Sequence, residues 1–273
     1  MNRIKIWIFV YCLFCINAIA AQKQKYLPTT YEWAVRFGYL EYSNSTVIPN
    51  GLPGFSTAID YYYQKKISVD TPYKFEFQSK LIYGYLLKPE DNNSWLNKPY
   101  HHAEISAGLL WSYSIVKSKF NIDVGGGVLF NALAGYNTSY KTDNYYFAKL
   151  QPYGNWLLMP SAKIGIQYQI KKIKLKSKLI FPLCIGGFYQ EYQNFPYLKE
   201  KIFSYITTPN TFALFNKYTS IFAEMDCFVP LKLSSSSKTD MKIGIYIDNT
   251  NSTTNYLVEK KRNIGIIVGI QFK

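Results

Sequence analysis

Histidine is almost missing from this 273-residue chain: there are two, His101 and His102, side by side. Cysteine is scarce as well, four in all, and two of those, Cys12 and Cys15, lie in the first apolar run. No stretch has the paired Cys and His spacing of a structural metal site, so neither a metal nor another cofactor is expected. No GxSxG turn marks a nucleophile, and the triple glycine Gly125–Gly127 lacks the following Lys and Ser or Thr of a phosphate loop. Acids are short too: 17 Asp and Glu against 31 Lys and Arg, a formal net charge of +14. Basic chains can bind nucleic acid, but no motif for it is present, and no nucleic-acid partner is expected. Beyond residue 21 no apolar run is long enough to cross a membrane as a helix.

What the chain does have begins at its first residues. Arg3 and Lys5 precede the apolar run Ile6 to Ile16, and Ala18, Ile19, Ala20 and Ala21 follow. A positive start, a short apolar middle and small residues at the end read as a secretory leader, with cleavage after Ala20 or Ala21. A lipid-modified Cys15 is disfavoured because bulky Phe14 precedes it. The expected layout is a leader over 1–21, a short lead over 22–30 and one domain over 31–273. Losing Arg3 and Lys5 with the leader takes two charges away and leaves +12. Anionic lipid head groups or acidic glycans suit such a surface.

The mature part alternates. In 102–134, Ala103, Ile105, Ala107, Leu109, Trp111, Tyr113 and Ile115 share one face; His102, Glu104, Ser106, Gly108, Ser112 and Ser114 share the other. After a turn at 116–119, Phe120, Ile122, Val124, Val128, Phe130 and Ala132 oppose Asn121, Asp123 and Asn131. Period-two alternation marks strands, and these two are more than twice the usual length of about five or six residues. Further strands are expected over 31–42, 54–64, 73–86, 160–170, 173–186, 218–233, 240–248 and 262–273, ten in total. The chain holds 26 Tyr, 18 Phe and 5 Trp, which suit strands and membrane interfaces. If strands cross lipid, their sheet must close, because an open edge cannot be satisfied there. The fold class expected is all-β, a closed antiparallel up-and-down transmembrane barrel.

Connections alternate between short ones, near 65–71, 117–119, 171–172 and 234–239, and longer ones at 43–53, 87–99, 135–157, 187–217 and 249–261. An even strand number places both termini at the short-turn end, which export makes the periplasmic side. The face opposite the apolar one carries Glu32, Asp60, Glu76, Glu104, Asp123, Glu224 and Asp226 with Arg36, Lys74, Lys80, Lys163, Lys174, Lys176, Lys178 and Lys242. These seven acids and eight bases nearly balance, as an interior that pairs its charges requires. Every strand glycine except Gly126 also falls on this inward face, where a narrow barrel has little room.

With these features in place, the chain resembles the outer-membrane β-barrel proteins of Gram-negative bacteria. The resemblance is architectural and covers essentially the whole mature chain. It includes a terminal strand, Ile264, Ile266, Val268, Ile270 and Phe272, that ends on an aromatic; Lys273 after it is a departure. The resemblance implies contact with outer-membrane lipid and lipopolysaccharide, and recognition of the last strand by the barrel-assembly machinery. It carries over no catalytic residue.

Three functions are compatible with these residues. The first is a non-enzymatic surface scaffold, adhesin or receptor that meets an extracellular ligand or glycan through Tyr136, Tyr140, Tyr145, Tyr146, Tyr153, Trp156, Tyr189, Tyr192 and Tyr197, since Tyr-rich loops make adaptable contacts. The second is a narrow, porin-like channel for small ions or solutes along the inward lysines. The third is a protease or lipid acyl hydrolase at the rim, using His102 and Glu104 as an acid–base pair. A short helix is also conceivable within 196–206, where Leu198 and Ile202 share a face. Cys184 and Cys227 would remain after export. Extrapolating the register from the 171–172 turn puts Cys184 opposite Phe222, inward, and Cys227 opposite Leu179, outward. Two free thiols are expected.

Overall fold

The computed structural model describes residues 28–44, 48–68, 71–87, 100–137, 153–190, 211–214, 216–231, 239–253 and 258–273. The leader, most of the short lead, and the helix expected in 196–206 lie outside the described residues.

Strands form where alternation was read. They are β1 (Thr29–Asn44), β2 (Ile48–Lys66), β3 (Tyr73–Leu86), β4 (Tyr100–Lys117), β5 (Phe120–Asn137) and β6 (Tyr153–Ile170). They continue with β7 (Ile173–Pro182), β8 (Cys184–Gln190), β9 (Thr211–Leu214), β10 (Tyr218–Leu231), β11 (Thr239–Thr253) and β12 (Val258–Phe272). The order β5-β4-β3-β2-β1-β12-β11-β10-β7-β6 closes on itself through β5–β6, and every pairing is antiparallel. The result is the ten-strand barrel, with β8 and β9 as two extra strands extending β7 and β10 beyond the ring. The seam is long: β1 pairs β12 from Tyr31↔Phe272 to Asn44↔Glu259.

Side chains sort by parity. Along β1, Tyr31, Trp33, Val35, Phe37 and Tyr39 are exposed, while Glu32, Ala34, Arg36 and Leu40 are buried. This outward apolar run of nine residues fits the about nine to eleven that a tilted strand needs to cross lipid. Near the short-turn end the outer face is ringed by aromatics in cross-strand contact. Tyr31–Tyr63, Trp33–Tyr61, Phe75–Trp111 and Phe120–Tyr168 have centroids 4.8–5.7 Å apart. Amphipathic rings of this kind settle at the membrane–water boundary.

Three expectations need correction. First, several connections are shorter than read. The strands run on past the outward apolar belt, so only 45–47 separates β1 from β2 and only 254–257 separates β11 from β12. Second, the inward face is not wholly polar. Leu110, Leu129, Leu157, Met159, Ile180, Ile185, Ala213 and Tyr218 pack inside as one apolar cluster, and Leu40, Tyr42, Leu86, Tyr100 and Leu133 as another. Third, the alternation in the strand read as 173–186 breaks at Leu183. Pro182 faces Ser161 on β6 but Gly186 faces Leu158, so one extra residue is inserted. Such a bulge swaps the faces of all that follows. Ile180 and Ile185 therefore both point inward, and Cys184 points outward, not into the lumen. The register onto β10 also differs: Cys227 faces Leu175, not Leu179, and Cys184 faces Leu214, not Phe222. Both thiols are free.

Candidate functional site

The chemistry of this molecule is concentrated inside the barrel. Alternation puts the charges there, and closure brings strands distant in sequence face to face. The structure places all fifteen of the charges assigned to the lumen on inward positions.

At mid-height, Arg36 bonds Asp60 on the neighbouring strand and Glu224 across the lumen at 2.9 Å. Its guanidinium also lies over the Tyr246 and Phe222 rings, 4.7 and 5.0 Å from their centroids, and such cation–π contacts favour burial of Arg. Lys242 sits among three carboxylates, bonding Glu32, Glu224 at 2.5 Å and Asp226 at 3.1 Å. Glu32, Glu224 and Asp226 are close enough together to hold a cation. The Lys242 ammonium already supplies one. Lys178 joins at 3.5 Å from Glu224.

A second group lies under β3–β6. Glu76 pairs with Lys163 and accepts from the Tyr62 hydroxyl at 2.8 Å and the Ser112 hydroxyl at 2.9 Å. Lys74 pairs with Asp123 at 2.9 Å, and the Ser114 hydroxyl donates to the same carboxylate. Near the short-turn end Lys174 meets Gln271 at 2.5 Å and Asp240 at 3.9 Å, while Lys176 lies over the Tyr62 ring. Lys80 reaches toward Asp248, 4.0 Å away.

A third group sits at the opposite end. Lys261 bonds Glu104 at 2.9 Å and Asp248 at 3.2 Å, Asn131 donates to Glu104 at 3.1 Å, and Asn155 donates to Glu259 at 3.4 Å. His102 is 3.5 Å from Glu104 and packs against the Tyr42 ring. A Cβ at Gly84 would overlap the Leu40 side chain and sit 3.3 Å from the His102 Cβ, so glycine leaves room for both. His102 and Glu104 are thus brought together, but both are buried, at 0% and 2% exposure. A hydrolytic pair must reach a substrate; this one faces lysine, asparagine and tyrosine.

Four network members were missed in the sequence: Asp240, Asp248, Glu259 and Lys261. Lys261 and Glu259 were assigned to a connection, although running the parity of Gln271 and Asn263 back along the strand reaches both. Of the loop residues singled out, Trp156 belongs to β6, half-buried. Tyr136, Tyr153 and Tyr189 also lie within strands, in β5, β6 and β8. Tyr140, Tyr145, Tyr146, Tyr192 and Tyr197 lie outside the described residues.

One small cavity lies inside the mid-height network. A cavity of about 20 Å³ is bounded by Glu32, Arg36, Asp60, Lys80, Lys178, Glu224 and Lys242 among others. That is the room of about one water.

A closed ten-strand antiparallel barrel, apolar outside and ion-paired inside, is the fold of outer-membrane β-barrel proteins. Among solved structures, the chain is similar over 91% of its length to the outer membrane protease OmpT from Escherichia coli, at 7% identity, with 99% of that chain covered and a TM-score of 0.48. It is similar over 90% to the β domain of the Bordetella autotransporter BrkA, at 8% identity, 100% coverage and a TM-score of 0.46. It is similar over 88% to Neisserial surface protein A, at 9% identity, 98% coverage and a TM-score of 0.33. No protein-family model and no curated protein matches the sequence.

Proposed function

We propose that the chain is a non-conducting outer-membrane barrel that holds surface loops in place, a scaffold on which an extracellular ligand or glycan is met. Its short turns face the periplasm and its long connections face outward. One observation carries this reading: among the described residues, ion pairs bridge the lumen from wall to wall, and the cavity within the mid-height network is about 20 Å³. Breaking a buried pair leaves an uncompensated charge, so the plug resists displacement by a passing solute. The leader, the belt of exposed aliphatics and the aromatic ring support membrane placement. The tyrosine-rich connections support contact with a ligand.

The test is electrical. The mature chain, folded into planar bilayers, stays silent at moderate voltage and admits no sugar in liposome swelling. A stable conductance, or swelling above that of lipid alone, transfers the assignment to the channel reading.

A further inference from the structure

Among the described residues, the ladder between β7 and β10 is the shortest in the ring. It runs from Phe222↔Ile180 to Phe228↔Lys174, half the span of the β1–β12 seam. Beyond Phe222 pairing stops, and it resumes only at Cys184↔Leu214 on β8 and β9. Between these two rungs the three residues 181–183 stand against the seven residues 215–221, so the edges cannot match residue for residue. The β7 edge has little to offer here. Pro182 has no N–H, and the Leu183 N–H donates to the Pro160 carbonyl on β6 at 2.8 Å.

Both sides of this break are apolar. Outside, Leu183 and Ile221 on its two edges, and Phe212 and Leu214 above it, are exposed. Ile221 pairs with Asn249, so the break lies at the upper margin of the outward apolar belt, where unpaired backbone can still reach water. Inside, Ile180, Ile185, Ala213 and Tyr218 flank the break on four strand segments, and all four belong to one buried apolar cluster with Leu157 and Met159. Behind the β1–β12 seam the lumen is different: Glu32, Arg36 and Lys261 stand there in ion pairs. Parting the wall at the seam would strand charge, whereas parting it at the break uncovers aliphatic side chains.

We infer that this break is a side entrance, through which an aliphatic chain from the surrounding membrane reaches the apolar cluster inside the barrel. The inference rests on the membrane placement given above and goes beyond the scaffold reading, since the ion-paired lumen at mid-height stays closed to solutes. An aliphatic chain has no polar group to desolvate and finds the same surroundings inside as outside. A polar ligand would find only the Tyr218 hydroxyl, which already meets the Met159 sulfur at 3.7 Å. Met159 is unbranched and adaptable, and it can yield to an entering chain.

The experiment uses the mature chain with Cys184→Ser and Cys227→Ser, folded into phosphatidylcholine vesicles. Heat-dependent gel mobility is checked first; its loss in this parent overturns the membrane reading and the entrance with it. Single cysteines are then placed at inward positions, Ala213→Cys and Ile185→Cys beside the break and Ala34→Cys behind the seam. Either of the first two suffices if the other does not fold. Each is treated with pyrene maleimide, which partitions into the bilayer, or with a sulfonated maleimide confined to water. Pyrene maleimide is expected to label positions 213 and 185 at least about tenfold faster than position 34, as a local opening of the wall requires. The sulfonated reagent is expected to lag at all three positions, and added palmitic acid to slow the pyrene labelling at 213 and 185. Equal pyrene labelling at position 34 overturns the side entrance, and so does sulfonated labelling as fast as pyrene labelling, which places the access at the mouth. Labelling that palmitic acid leaves unchanged overturns the aliphatic occupant.

Discussion

Glu76 shows what a single lumen residue does. It takes the Lys163 ammonium and two hydroxyls, and none of the three has water to turn to. Glu76→Ala is expected to cost about 3–5 kcal/mol, because Lys163 is left charged and unpaired. Replacing both, as Glu76→Gln with Lys163→Met, is expected to cost less than Glu76→Ala alone. Urea unfolding in lipid vesicles, followed by tryptophan fluorescence, measures both; a double variant worse than the single one overturns the argument. At this scale the sequence was most readable where alternation was clean, as at Lys74, Glu76, Gln78 and Lys80. It was least readable where a strand runs beyond its outward apolar belt. There both faces turn polar, so Arg262 outside and Lys261 inside look alike and the run resembles a loop. The inward leucines were hidden for the opposite reason: Leu110 and Leu129 are as apolar as the residues that face lipid.

Among the elements, the bulge at Leu183 has the widest effect. An inserted residue has no composition signature of its own, so the reading from the 171–172 turn held along β7 and failed after Pro182. The β7–β10 register failed as well, by four residues: Lys174 faces Phe228, four residues before the position that equal depth of the two short turns predicts. The free-thiol expectation survives these shifts. Cys227 faces Leu175, and Cys184 lies nine positions further along the same strand path, about 30 Å at roughly 3.3 Å per residue. The folded chain is expected to run identically with and without reductant, and the unfolded chain to titrate two thiols. A mobility shift on reduction contradicts the register.

For the whole molecule, strand number and closure follow from alternation and chain length, whereas the ligand does not. The scaffold reading makes the barrel and its outer connections separable. Replacing 138–152 and 191–210 with short Gly/Ser turns is expected to preserve the heat-dependent gel mobility and the β-type circular dichroism spectrum. It is also expected to abolish attachment of expressing cells to any surface the wild type binds. Retained attachment moves the ligand contact elsewhere. A lost barrel shows that these connections are needed for folding.

The wall-to-wall pairs also bear on how the chain is built. Lys261 stands on β12 and serves Glu104 on β4 and Asp248 on β11; Arg36 on β1 serves Glu224 on β10. Until the first and last strands meet, Glu104 lacks the Lys261 ammonium and Arg36 lacks one of its two carboxylates, so a truncated or misregistered ring leaves charge stranded facing the lumen. A ring with the wrong strand beside its seam would leave Glu104 without its lysine in the interior, and is expected to be less stable than the native one for that reason.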